Sequence, residues 1–127
     1  LRNDMACYKA RAEAVRHAEV YRGSFAISVC PSENVESPTI VGAQAANELL
    51  NIIGIKASFA LTEYNDKIYI SSSSIDEINV QIIMEKLGGG GHLNVAGAQL
   101  EGVTIVQAKR MIQDTLDEML KEGDIEE

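Results

Sequence analysis

The run with the most chemical content is Gly88-Gly89-Gly90-Gly91-His92. One glycine after a helix is an ordinary C-terminal cap, and that accounts for Gly88 alone. Four in succession are either a flexible linker or a loop whose backbone must come close to a ligand. A linker continues in small polar residues. Here the compact, apolar His92-Leu93-Asn94-Val95-Ala96-Gly97-Ala98 follows at once, which favours the ligand loop. Side-chain-free residues let successive N–H groups converge on an anion, and His92 would add a donor or a stacking face. The loop follows a helix C-terminus, where the dipole repels phosphate, so the amides must bind without that help. No Lys-Ser or Lys-Thr follows the glycines, so this is not a P-loop.

The remaining polar residues suggest contacts rather than catalysis. Ser71 to Ser74 could supply nucleophiles, but no His and acid lie at a recognisable motif spacing. A polar loop or ligand contact is the better reading. Two-metal phosphodiester hydrolysis needs a cluster of Asp and His ligands. The only histidines are His17 and His92, and no Asp-His-His triplet exists. His17, between Arg16 and Glu19, reads as a solvated helix residue. No metal ligands are assigned, and the chain is expected not to be an enzyme on its own. Cys7 and Cys30 show no pairing or metal spacing and read as buried free thiols of a reducing cytosol.

The elements that would position these residues follow from periodicity. Met5, Tyr8, Ala12, Val15 and Ala18 predict a leading helix that Gly23 stops. Phe25, Ile27 and Val29 alternate as a strand. Ser37-Pro38 starts a second helix, with the stripe Val41, Ala45, Leu49 and Ile52, and Gly54 just past its end. Ala45 is the small residue expected to allow close packing on a sheet. Ile55, Ala57, Phe59 and Leu61 predict another strand, parallel to the first across a right-handed crossover. Asn65-Asp66 is a hairpin turn into Lys67-Ile68-Tyr69-Ile70. A short helix is expected over Asn79 to Leu87 and a short strand over Ala96 to Leu100. Thr104 and Gln107 form a capping box for a last amphipathic helix through Ile105, Ala108, Ile112, Leu116 and Met119. The fold class is α/β: a single domain with a mixed β-sheet, a βαβ crossover, helices packed on the sheet, and a leading linker helix.

Charge bounds the partners. The net charge is -8, but Asp114 to Glu127 holds seven acids against Lys121 and so carries -6 of it. The domain body is nearly neutral, which allows an anionic ligand and disfavours broad binding to a nucleic-acid backbone. The tail from Gly123 to Glu127 lies past the last apolar helix position and is expected to be dispensable. There is no apolar run of about 18 residues. The chain begins Leu-Arg-Asn-Asp rather than Met, which suggests a piece of something longer.

Gly88 to Gly91, His92, Ala96 and Gly97 together resemble the signature of the DHH-associated domain, with Val95 where many members have Ala. Ser71 to Ser74 and Asn79-Val80 resemble the family's Ser-x-Arg-Ser segment followed by Asn-Val. The stretch from Asn79 to Leu100 and the helix Met5 to Arg16 are similar to membrane-bound cyclic-di-AMP phosphodiesterases of the GdpP type.

The resemblance implies three segments: residues 1–22, a linker helix from a missing catalytic domain; 23–122, the DHH-associated substrate-binding domain; and 123–127, an acidic tail. It implies a DHH catalytic domain in the same parent chain that holds manganese and cleaves a phosphodiester. The parent would be anchored in the cell membrane by segments absent here, with this domain in the cytoplasm. No cofactor falls to the present segment. It would bind cyclic di-AMP or a short linear di-adenylate through Gly88, Gly89, Gly90, Gly91, His92, Ser71, Ser73, Ser74 and Asn79. A second copy of the chain is a further partner to be considered. The family Arg falls at Ser73, so its phosphate contact is lost or passes to Lys86 or to the glycine amides.

Two rival readings stand beside this one. An accessory domain of a short-RNA or single-strand exonuclease should show a basic groove with stacking aromatics. This chain has six aromatics and few Lys or Arg after residue 22. A dimerisation or interaction module, in which the glycines only shape a turn, predicts no nucleotide binding.

Overall fold

The computed structural model describes residues 4–127, so residues 1–3 of the expected linker segment lie outside the described residues. Four helices pack on the two faces of one six-stranded mixed sheet. In chain order the elements are α1 (Met5–Arg16), β1 (Glu19–Tyr21), β2 (Phe25–Val29), α2 (Pro38–Leu49), β3 (Ala57–Tyr64), β4 (Lys67–Ser74), α3 (Val80–Lys86), β5 (Gly90–Gly91), β6 (Val95–Glu101) and α4 (Ile105–Glu122). The strand order is β1-β2-β3-β4-β6-β5. Only the β2–β3 pair is parallel, and α2 makes the crossover between them.

Strand alternation sorts side chains to two faces. Phe25, Ile27, Phe59, Leu61, Ile68, Ile70, Ala96, Ala98 and Leu100 pack with Ile83 and Met84 of α3 and Ile112 and Leu116 of α4. The opposite face packs on α1 and α2 through Ala26 and Ala60. Two buried serines on that face are satisfied by helix carbonyls: Ser28 donates to Ala14 and Ser58 to Ala46. Gly42 sets how closely α2 approaches, because a Cβ there would lie 2.7 Å from Thr62 Oγ1. Ala45 is fully buried as expected, but Gly42 makes the tighter contact.

Local signals explain the element ends. Asn65 and Asp66 both have positive φ, 52° and 60°, which is the backbone a two-residue hairpin with strand-matched twist requires. Thr104 and Gln107 form the reciprocal capping box at α4. Pro38 occupies the first turn of α2, but the Ser37 side chain makes no cap bond.

Four expectations are corrected. The leading helix ends at Arg16, not before Gly23; residues Glu19–Tyr21 instead form an edge strand antiparallel to β2. Its buried face is Cys7, Ala10 and Ala14, whereas Met5 and Tyr8 point outward. Helix α2 stops at Leu49, leaving Ile52 in the following turn and Gly54 five residues past the helix. Ser71 to Ser74 are no loop: they complete β4, paired with β3 on one side, with Ser71 to Ser73 also paired with β6 on the other.

The fourth correction is the tail. Ile125 is 5% exposed and belongs to the main core cluster. Gly123, at φ 79°, ends α4 in a left-handed turn, and the Asp124 N–H returns to the Met119 carbonyl. Arg22 holds the end in place, with Nε on Asp117 at 2.7 Å and Nη1 on Glu127 at 3.2 Å. The Tyr21 hydroxyl also donates to Asp117, at 2.7 Å, and this bond and the Arg22 guanidinium hold the Asp117 carboxyl below its ordinary pKa.

Candidate functional site

Helix α2 packs over β3 and β4, so the sheet beyond β4 on that face has no helix above it. Two adjoining hollows occupy this region. One, about 500 Å³, is lined by Thr39, Tyr69, Ser71, Gly89, Gly97 and Gln99 among others. The second, about 410 Å³, lies between Ile40, Ala43, Gln44 and Asn47 of α2 and Ser71, Ser73 and Val95 of the sheet. Ser71 lines both, so they form one trough along the edge of α2. Their sizes fall in the range of small-molecule sites, and their lining mixes apolar walls with a few polar groups.

The trough floor carries Ser71, Gly89 and Gly97 without large side chains, and the row continues past it to Gly90, which lines neither hollow. Ser71 pairs with Gly97, and Gly97 pairs with Gly90. Directly opposed residues in antiparallel strands project to the same face, so this row is nearly flat.

The four glycines have separate reasons. Gly88 has φ 85° and, with Gly89, closes the end of α3: its N–H reaches the Glu85 carbonyl at 3.1 Å and that of Gly89 reaches Met84 at 2.8 Å. A Cβ on Gly89 would lie 2.0 Å from the Gly97 carbonyl oxygen, and one on Gly91 would lie 2.5 Å from Ala96 Cα. Gly90 differs. It has no positive φ, and a Cβ there meets nothing within 4 Å. A Cβ on Gly89 or Gly91 would run into β6, whereas one on Gly90 would point into open space.

The expected nest of free amides is corrected accordingly. The Gly88, Gly89 and His92 N–H groups are donated within the fold, His92 to the Val95 carbonyl at 2.7 Å. These three cannot converge on an anion. Gly89 and Gly91 let the chain lie close against β6.

The other expected site residues divide between trough and scaffold. Ser71 and Ser73 line the trough. Ser74 does not: its hydroxyl donates to the Ile78 carbonyl at 2.6 Å and accepts from Asn94 Nδ2 at 3.3 Å, tying β4 to the turn before β6. Asn79 caps α3, its Oδ1 accepting from the Gln81 N–H at 3.0 Å. His92 is exposed on the turn that leads to Val95. Lys86 is exposed on the last turn of α3. Missed from the sequence were the α2 residues Ile40, Gln44 and Asn47. Their signal is a second stripe at helical spacing, on the side away from Val41, Ala45 and Leu49.

The trough is short of cationic groups. Its lining includes no Lys or Arg, and its one acid, Glu101, is paired with Lys67 at 3.3 Å. Cys7 and Cys30 are both buried and unpaired, and burial pushes the Cys30 thiol up to about 11, so it is no nucleophile. Among the described residues no three His, Cys, Asp or Glu side chains gather where they could hold a metal ion. Manganese therefore does not fit this chain's own residues.

Comparison with known proteins gives consistent results. The DHHA1 domain model matches residues 23–122. The cyclic-di-AMP phosphodiesterase PdeA of Listeria monocytogenes is 42% identical over 118 residues, which is 92% of this chain and 18% of that protein. The cyclic-di-AMP phosphodiesterase GdpP of Bacillus subtilis is 36% identical over 125 residues, 97% of this chain and 19% of that protein. The chain thus spans about a fifth of these relatives. Among solved structures, an exopolyphosphatase-related protein from Bacteroides fragilis superposes with a TM-score of 0.80 at 20% identity, over 93% of this chain and 36% of that one. At that identity the likeness is one of fold.

Proposed function

Because this chain belongs to the DHHA1-domain family, we propose that it is the nucleotide-binding accessory domain of a phosphodiesterase acting on cyclic di-AMP or short di-adenylate. The hydrolytic chemistry belongs to a DHH domain of the same polypeptide, and manganese, where it is needed, is held there. The parent is anchored in a membrane by segments outside this chain; no helix among the described residues is long and apolar enough to cross one.

The observation that carries the reading is Gly90. The fold accounts for Gly88, Gly89 and Gly91 by positive φ or steric contact, but nothing in the fold accounts for the missing side chain at Gly90. A flat ligand lying over the Ser71–Gly97–Gly90 row does, because it needs that backbone bare. A lining without Lys or Arg suits bases and sugars better than phosphates, so the phosphate charge is met mainly by the partner domain. The same lining disfavours the exonuclease reading, which needs a cationic track for a strand.

Titration calorimetry of the chain with cyclic di-AMP, linear di-adenylate and a short RNA tests the proposal. Saturable binding of the dinucleotides and none of the longer RNA is expected. Absence of dinucleotide binding contradicts the assignment and returns the glycines to a turn-shaping role.

A further inference from the structure

The trough has two unlike ends, and the one beside α2 carries an arrangement suited to a purine. Ile40 and Val95 stand on its two walls, 57% and 61% exposed. Large apolar side chains left in water on facing walls would be covered by a flat ring placed between them. No lining group is charged, which matches a neutral base rather than a phosphate.

Two carboxamides stand at the rim. Arg11 Nη1 donates to Gln44 Oε1 at 3.1 Å. A guanidinium has only donors, so the Gln44 oxygen must face it and the NH₂ is left for the hollow. Asn47 is exposed on the next turn of α2 and lines the same hollow, and its side chain makes no hydrogen bond among the described residues. It is free to offer a donor and an acceptor together.

We infer that this hollow is an adenine subsite, in which the base lies between Ile40 and Val95 and Asn47 reads its edge. The inference rests on the nucleotide-binding reading above and adds where the base sits and which side chain reads it. A carboxamide pairs bidentately with adenine N6 and N7, its oxygen accepting from the amino group and its NH₂ donating to N7. Guanine offers two acceptors on the same edge, O6 and N7. One of them would face the Asn47 oxygen without a proton between them.

The test is titration of the wild-type chain and of Asn47→Ala with cyclic di-AMP and cyclic di-GMP, with melting temperatures measured alongside. Asn47 is exposed on a helix, so Ala should leave the fold intact. The wild type should prefer cyclic di-AMP. Asn47→Ala should weaken cyclic di-AMP by about fivefold or more, barely change cyclic di-GMP, and so collapse the preference. Asn47→Leu, which keeps bulk and removes the amide, should behave likewise. A wild type that binds but does not discriminate, or an Asn47→Ala variant with the preference intact, overturns the adenine subsite alone. A wild type that binds neither ligand overturns the nucleotide-binding reading and this inference with it.

Discussion

Gly90 lies directly opposite Gly97 across the β5–β6 pair, and both turn their bare Cα atoms to the face that α2 leaves uncovered. Gly97 is required by the sheet, since a Cβ there would lie 2.8 Å from the Ile70 carbonyl oxygen. Gly90 has no such neighbour. The pair therefore joins a residue fixed by folding to one that no neighbour constrains.

Substitution separates those two roles. Gly90→Val should fold with a melting temperature within a few degrees of wild type, since Val suits a strand and meets no neighbour. It should nevertheless lose dinucleotide binding. Gly89→Val drives a side chain into Gly97 and Ala98 and should cost about 1–3 kcal/mol or more of stability. Thermal melts and titrations of both variants check this. Unchanged affinity in a folded Gly90→Val variant would favour the turn-only reading.

Ser73 lines the trough at the position where the resemblance expects an Arg, so a charge can be introduced there. Ser73→Arg should strengthen dinucleotide binding by about 1 kcal/mol, or fivefold, after side-chain ordering is subtracted from a charge-assisted hydrogen bond. The gain should shrink as salt rises. Ser72→Arg is no control, because Ser72 shares the face of Ile70, which packs in the main core, opposite to the trough. Val106→Arg adds the same charge at a 76% exposed site on α4, across the sheet. Equal gains at Ser73 and Val106 would indicate general charge attraction only.

The tail should be needed for stability. Ile125→Ala removes a buried side chain from the main core and should cost about 2 kcal/mol or more, and truncation after Glu122 at least as much. Denaturant unfolding measures both. A truncated chain as stable as the parent would mean that the docked tail is not held in solution.

The Asp117 latch should make part of this stability depend on pH. Its pKa is lowered in the folded chain, first by the Tyr21 hydrogen bond and also by Arg22. Stability from such a group is present above the unfolded value, ordinarily 3.8, and is lost as pH falls through the lower folded value. Asp117→Asn should therefore melt below wild type at neutral pH and match it only once the pH has fallen through the lowered folded value. The site is partly exposed, so the neutral-pH difference should be small and reduced by salt. A difference that persists in acid would point to packing rather than charge.

Much of the fold was legible in the sequence because its signals are local. The Asn65-Asp66 turn, the Thr104–Gln107 box and the alternation in β2 and β3 all depend on residues close together in the chain. What escaped depends on tertiary packing. Ser71 to Ser74 have poor strand propensity, yet β4 is paired with strands on both sides, and that pairing overrides it. Glu19–Tyr21 continues the helical pattern of α1 and becomes a strand only because Arg22-Gly23, both at positive φ, turns it back on β2. Ile125 is a single apolar residue among acids, too sparse to form a pattern.

The candidate site was half legible. The glycine run falls at the β5–β6 pair, and Ser71 and Ser73 line the trough beside it. Asn79 and Ser74 fill scaffold roles that their residue types do not announce, since a cap and a ligand contact use the same side-chain oxygen. The α2 wall was hidden because its members lie some thirty to fifty residues from the strands they face.

The most direct measurement is the amide NMR spectrum of the nitrogen-15-labelled chain titrated with cyclic di-AMP. Saturable shifts should appear at Asn47, Ser71, Ser73, Gly90 and Gly97, and the α4 signals should stay still. No shifts, or shifts confined to α4 and the tail, would contradict a nucleotide site in the trough beside α2.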